Sequence, residues 1–271
     1  MCSQRNCWSA LQRQAGIDVD KAGSEEERLG DALHRLLHID DPLRLTAYKA
    51  WLGDGQADPR LITALLHTLW TDNKPTSLKD AYRRITEHPA IVTELIEFLA
   101  LLESRADHLT SPSDVAPLSV HARHSLVEIL SAFGRITPEQ FYQHREGPYY
   151  DKPTNTDMFF VTLEKSERDY SPSTLYKDYA ISPTLFHWES QSVTTQSSPT
   201  GQRYIRQREL DGRVLLFVRL RKKQDGLTMP YTFLGPAHYK SHKGERPIAF
   251  VWELSRPMPA DFFRQAKVAA G

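Results

Sequence analysis

Arg213-Val-Leu-Leu-Phe-Val-Arg-Leu220 is a short apolar run, rich in β-branched and aromatic residues, that follows the turn-prone Asp211-Gly212 and runs into a basic cluster. It reads as a strand, and it has company. Met158-Phe-Phe-Val-Thr-Leu163, Leu185-Phe-His-Trp-Glu189, Tyr231-Thr-Phe-Leu-Gly235 and Ile248-Ala-Phe-Val-Trp-Glu-Leu254 share its grammar and are separated by Gly, Pro, Ser or Asp. Because no helical pattern stands between these runs, parallel pairing, which needs long crossovers, is not expected; a small, mostly antiparallel β-barrel is. Phe250 and Trp252 are expected on opposite faces of their strand.

Working outward toward the N-terminus, the period changes. Leu29, Leu33, Leu36 and Leu37, then Leu61, Leu65, Leu66 and Leu69, then Leu95, Phe98, Leu99 and Leu102 recur at three and four. Helix starts are marked by Asp58 before Pro59, Ser77 with Asp80 three residues on, and Pro89. Gly134 closes a helix that begins near Val120. The fold class is therefore α+β: a helical bundle over residues 1–145, then a barrel of the PUA/SRA-like kind over 150–271, closed by a helix from Pro259. The run Glu146-Gly-Pro-Tyr-Tyr-Asp-Lys-Pro-Thr154 connects the two.

Bulk properties bound the rest. A chain of 271 residues with 40% hydrophobic content can bury one large or two ordinary cores. No run reaches the ~18 apolar residues of a membrane span, and the start lacks an apolar signal core, so a cytoplasmic setting without membrane partners is expected. Cys2 and Cys7 are the only cysteines and could close only a trivial loop, which excludes a disulfide framework, and with no close cysteine pair elsewhere a structural zinc site is not expected. The net charge of zero hides an asymmetry: from Tyr150 onward cations exceed anions by roughly five, balanced by acid earlier in the chain.

Chemistry concentrates between Tyr179 and Arg208. Along a half-buried strand Phe186 and Trp188 point one way and His187 and Glu189 the other. Phe186 and Trp188 suit a core as well as a ligand face. After the strand come Ser190, Gln191 and Ser192, then the turn-prone Ser197-Ser-Pro-Thr-Gly-Gln-Arg-Tyr204, which contains Thr200, Gln202, Arg203 and Tyr204. Arg203, Arg206, Arg208, Arg219, Arg221, Lys222 and Lys223 can neutralise phosphates, and Tyr179, Phe186, Trp188 and Tyr204 offer faces for stacking a base. Phosphate-cradling, dinucleotide and nucleophile-elbow motifs are absent, and His187-Trp-Glu189 lacks the Pro-Cys-x-x-Cys that completes a zinc deaminase. No catalytic residue, metal or other cofactor is expected.

Several of these blocks also carry a resemblance: Phe159-Phe-Val-Thr-Leu-Glu-Lys-Ser-Glu-Arg-Asp-Tyr-Ser-Pro-Ser-Thr174, Tyr179-Ala-Ile-Ser-Pro183, Phe186-His-Trp-Glu-Ser-Gln-Ser192, Ser198-Pro-Thr-Gly-Gln-Arg-Tyr204, Tyr231-Thr-Phe-Leu-Gly-Pro-Ala237 and Gly244-Glu-Arg-Pro-Ile248. Together with Leu36-Leu-His-Ile-Asp-Asp-Pro42 and Pro117-Leu-Ser-Val-His-Ala-Arg123, they resemble an uncharacterised domain at the C-terminal end of many bacterial DEAD/DEAH-type (superfamily 2) helicases, often in chains with a phospholipase-D-like nuclease. The resemblance implies helicase and nuclease partners and a setting in DNA restriction or phage defence. It supplies no catalytic residues. The resulting expectation is a non-catalytic DNA-binding module that reads a modified or flipped base. The alternatives are a metal-dependent nuclease built on Asp157, His187 and Glu189, and a protein-interaction domain.

Overall fold

A computed structural model describes residues 7–17, 23–106, 109–144, 147–164 and 178–269. Cys2, and with it any pairing to Cys7, lies outside the described residues, as do residues 165–174 of the first resemblance block. The chain divides into two compact units, Met1–Gln143 and His144–Gly271. No helix is long and apolar enough to cross a membrane among the described residues.

The first unit is helical: α1 (Trp8–Gln14), α2 (Ser24–Ala32), α3 (Pro42–Asp54), α4 (Pro59–Leu69), α5 (Leu78–Thr86), α6 (Pro89–Ser104) and α7 (Leu126–Ala132), with the short strands β1 (Ser111–Pro112), β2 (Ser119–Val120) and β3 (Arg123–His124) before α7. The start signals hold. Asp58 caps α4 with Pro59 in its first turn, Ser77 accepts from the Asp80 amide, and Pro89 opens α6. The helix before Gly134 starts at Leu126, because Ser125 and Glu128 form a reciprocal capping box there. Of the expected stripes, Leu29, Leu33, Leu36, Leu61, Leu65, Leu66, Leu69, Leu95, Leu99 and Leu102 are core, whereas Leu37 is half exposed.

Beneath that core lies a buried ionic cluster. Arg44, wholly enclosed on α3, places its guanidinium 2.6 Å from the Glu128 carboxylate and 3.5 Å from Asp41. The same Glu128 oxygen also receives His38 at 2.9 Å and the Ser125 amide at 2.6 Å. Asp41 caps α3 and accepts from the Ser119 hydroxyl at 2.6 Å, while Asp40 accepts from the Arg123 amide and guanidinium, both at 2.7 Å. The cluster therefore ties Asp40-Asp41 to Ser119–Arg123, stretches distant in sequence.

The second unit is built on a sheet: β4 (Tyr149–Asp151), β5 (Thr156–Glu164), β6 (Tyr179–Ser182), β7 (Leu185–Glu189), then helix α8 (Pro199–Ile205), β8 (Arg213–Arg221), the ribbon β9 (Lys223–Gln224) and β10 (Leu227–Thr228), β11 (Tyr231–Lys243), β12 (Ala249–Leu254) and helix α9 (Ala260–Ala269). The sheet order is β4-β5-β8-β11-β12-β7-β6. All five expected strands are present, and the closing helix forms. One expectation finds no support and another needs correction. The order is linear, and no closed barrel is found among the described residues. One pair, β5 with β8, is parallel, in register from Thr156↔Arg213 to Glu164↔Arg221; the other paired strands in that order run antiparallel. The crossover that parallel pairing demands carries β6, β7 and α8.

The core gathers on one side of this sheet from Phe159, Val161, Val214, Leu216, Val218, Phe186, Trp188, Phe250 and Trp252. Phe250 and Trp252 belong to the same face, their rings stacked at 5.6 Å. Residues two apart on a strand share a face, which is why the opposite-face expectation was wrong.

The Arg44 cluster yields two testable consequences. Arg44→Met leaves Glu128 and Asp41 buried without their counter-ion and is expected to cost about 3–5 kcal/mol in denaturant unfolding, against less than about 1 for Lys49→Ala in the surface pair with Glu103. Burial, reinforced by the Arg44 charge, pushes the enclosed His124 imidazole down to about 4 from its ordinary 6.5, and Arg44 and His38 hold the Glu128 carboxyl well below the usual carboxylate range despite its burial. The unfolded chain thus binds a proton at His124 that the native one refuses, so stability is full above about pH 6.5 and falls toward pH 4, with Glu128 adding a further loss at lower pH. A His124→Gln variant should show a flatter decline in melting temperature between pH 7 and pH 5, and an unchanged decline would assign the acid sensitivity to other groups.

Candidate nucleic-acid interface

The aromatic residues expected to stack a base are mostly interior. β7 places Phe186 and Trp188 on the core face, where the Trp188 ring stacks on Phe159 at 4.1 Å with 16° between planes. Tyr204, on the inner side of α8, meets Phe159 and Trp188 edge-on at 5.2 and 5.5 Å. Trp188 is 5% exposed, Tyr204 1% and Phe186 fully enclosed. The Trp188 and Tyr204 faces are occupied by neighbouring rings and Phe186 is enclosed, so none of the three is presented to a ligand. The turn-prone segment after β7 is instead helix α8: Ser198 caps it by accepting from the Gly201 amide, and Pro199 occupies the first turn. The Ser-Pro pair carried that signal in the sequence.

On the other face of β7 the expected alternation holds. His187 stacks on Tyr179 of β6, its direct cross-strand partner, at 4.5 Å and 13°. Tyr179 is exposed. Ser190 is fully enclosed and structural, its hydroxyl accepting from the Ile248 amide at 3.0 Å while its own amide donates to the Ile248 carbonyl at 2.9 Å. Gln191 and Ser192 are exposed in the turn that follows; Thr200 is half-buried in α8, and Gln202 donates to the Gln196 carbonyl at 2.8 Å.

The expected phosphate-binding arginines are largely engaged within the protein. Arg203 grips Asp157 through two hydrogen bonds, 2.7 and 2.9 Å, and lies 3.8 Å over the Tyr150 ring. Burial raises the Asp157 carboxyl above its ordinary range against the pull of Arg203. Arg219 is buried, donating to the Thr162 hydroxyl at 2.9 Å and lying over Tyr231 at 4.5 Å. Arg221 pairs with Glu164, its register partner, and Arg206 with Glu209. Asp157, His187 and Glu189 form no metal-holding group: among the described residues no three His, Cys, Asp or Glu converge in that way.

A different place presents cations around a concavity. Where α8 ends and β8 begins, a cleft of about 440 Å³ opens against β11, lined by Arg208, Asp211, Arg213, Pro236 and His238 among others. Its floor is fixed by Gln207, whose buried amide donates to the Ala237 carbonyl at 3.0 Å and accepts from the Tyr239 amide at 2.8 Å, standing in for a peptide unit beside β11. Asn155 pins the adjoining turn, its amide donating to the Leu210 and Asp211 carbonyls at 3.0 and 3.1 Å. Arg208 and Arg213 are exposed, and neither forms an ion pair among the described residues; Arg213 reaches only the Thr154 carbonyl, at 3.3 Å. The Nε2 atom of His238 lies 3.0 Å from the Ser255 hydroxyl. Two outward guanidinium groups beside an imidazole can hold an anion. Arg208 was expected in this role; Arg213, Gln207 and His238 were not, because the cleft is made by strands distant in sequence.

The wall behind α8 admits no side chain at Gly201, where an added Cβ would stand 2.0 Å from the Thr195 carbonyl oxygen. Gly201→Ala is therefore expected to lower stability by about 1–3 kcal/mol, read as a lower melting temperature, with no change for Thr200→Ala beyond a few tenths.

No curated protein matches the chain. A family model described as "Domain of unknown function (DUF3427)" matches residues 119–266, more than half of the 271, and takes in α7, the whole sheet from β4 to β12, the cleft and most of α9. By that match the chain belongs to the DUF3427 family.

Proposed function

We propose that residues 144–271 are a non-catalytic nucleic-acid-binding module that grips the sugar-phosphate backbone through Arg208 and Arg213. The observation that carries this reading is their placement at one cleft without an ion pair among the described residues, in a unit whose cations exceed its anions by roughly five. Asp211 lines the same cleft, which favours contact by the outward guanidinium groups over deep burial of a phosphate. With Trp188 and Tyr204 enclosed, a flipped or modified base has no stacking face there, so the reading stops at the backbone. The resemblance to helicase C-terminal regions supplies a setting. There the module would hold DNA beside a motor and a nuclease carried elsewhere, as restriction or phage defence requires.

Anisotropy of a short labelled duplex tests this between about 50 and 200 mM salt. Affinity is expected to fall steeply, and replacing Arg208 and Arg213 together with Ala should lower the slope of log K against log salt by roughly 2, equally for plain and modified sequences. Salt-independent binding, or a double variant that binds like the parent, would remove the proposal.

A further inference from the structure

The helical unit carries a second surface, outside the residues matched by the family model. Helix α6 is apolar well beyond one stripe. Its Ile91, Leu95, Leu99 and Leu102 fill the core, yet Phe98 and Leu101 lie on another flank, with Leu101 44% exposed. Facing them across a groove of about 380 Å³ are Leu33 and the half-exposed Leu37, just after α2, and Trp8 at the start of α1, 56% exposed. Glu94 closes one end by accepting from the Trp8 and Ser9 amides at 2.6 and 3.0 Å, which seats α1 against α6. A soluble surface rarely gathers so many large apolar side chains into one concavity without using it.

The groove is also charged in one sense. Asp31 and Glu97 line it, both exposed and neither in an ion pair among the described residues. They sit in a stretch of chain whose acids outnumber its bases.

We infer that this groove docks a basic amphipathic helix of a partner protein. Two rows of apolar side chains at helical spacing, one on α6 and one after α2, match a third helix presenting apolar residues at i, i+3 or i+4, and i+7. Lysines or arginines flanking that stripe meet Asp31 and Glu97. The charge selects the partner, since a second copy of this surface would set carboxylates against carboxylates.

The test uses the full chain and two synthetic helices of roughly five turns, each with leucines on one face, one with lysines and the other with glutamates elsewhere. Titration calorimetry should show the lysine helix binding at micromolar levels and the glutamate helix binding at least about a hundredfold more weakly. Leu37→Glu and Leu101→Glu replace exposed side chains and leave the core intact. Each adds negative charge, so general attraction of a cationic peptide would rise, whereas groove docking should weaken at least tenfold by about 1.4 kcal/mol or more. Asp31→Lys with Glu97→Lys should reverse the preference between the two helices. Equal binding of both helices, unchanged affinity in the leucine variants, or self-association of the chain that Leu101→Glu abolishes would each overturn the inference.

Discussion

The parallel pairing of β5 with β8 is the constraint from which the second unit follows. Both strands are buried along nearly their whole length, which is the usual condition of parallel neighbours and means that their side chains contribute on two faces at once. Two strands that run the same way cannot be joined by a tight turn, so the chain between them must return along the sheet. It does so through β6, β7 and α8. That return brings Trp188 and Tyr204 onto Phe159 and fixes the start of β5 to α8 through Asp157 and Arg203. The residues that look most like a binding site in the sequence are thus the ones that close the crossover.

In the helical unit a comparable role falls to Arg44. An enclosed guanidinium is costly unless its charge is met; Glu128 and Asp41 supply the counter-charge, and the Arg123 carbonyl accepts a hydrogen bond from one of its nitrogens. Because those partners come from α3, α7 and the short strands before it, the cluster fixes how segments far apart in sequence come together. It also brings two stretches singled out in the sequence, Leu36–Pro42 and Pro117–Arg123, into one structural joint.

How far the candidate site could be read from the residues depended on what each arginine meets after folding. Arg221 finds Glu164 only because the parallel register sets them side by side, and Arg219 is buried under Tyr231 because β8 is covered on both faces. Seen in the sequence, these look the same as Arg208 and Arg213, which remain outward. An aromatic side chain is similarly ambiguous, since the same ring that could stack a base also contributes a large apolar area to a core.

The sequence by itself determined the period of the main segments: the long helices before residue 105, the five main strands after 155 with the closing helix behind them, several helix starts, the alternation that sends Phe186 and Trp188 to one side of β7 and His187 to the other, and the charge imbalance along the chain. These follow from local physics, the 3.6- and 2-residue repeats and the capping of nearby amides. Only the tertiary structure decided which strands pair and in which direction, that Ser198–Tyr204 packs as a helix against the core, and which arginines stay exposed. Those outcomes depend on contacts between residues tens of positions apart, whose energies are set by burial and register and leave no periodic trace in the chain.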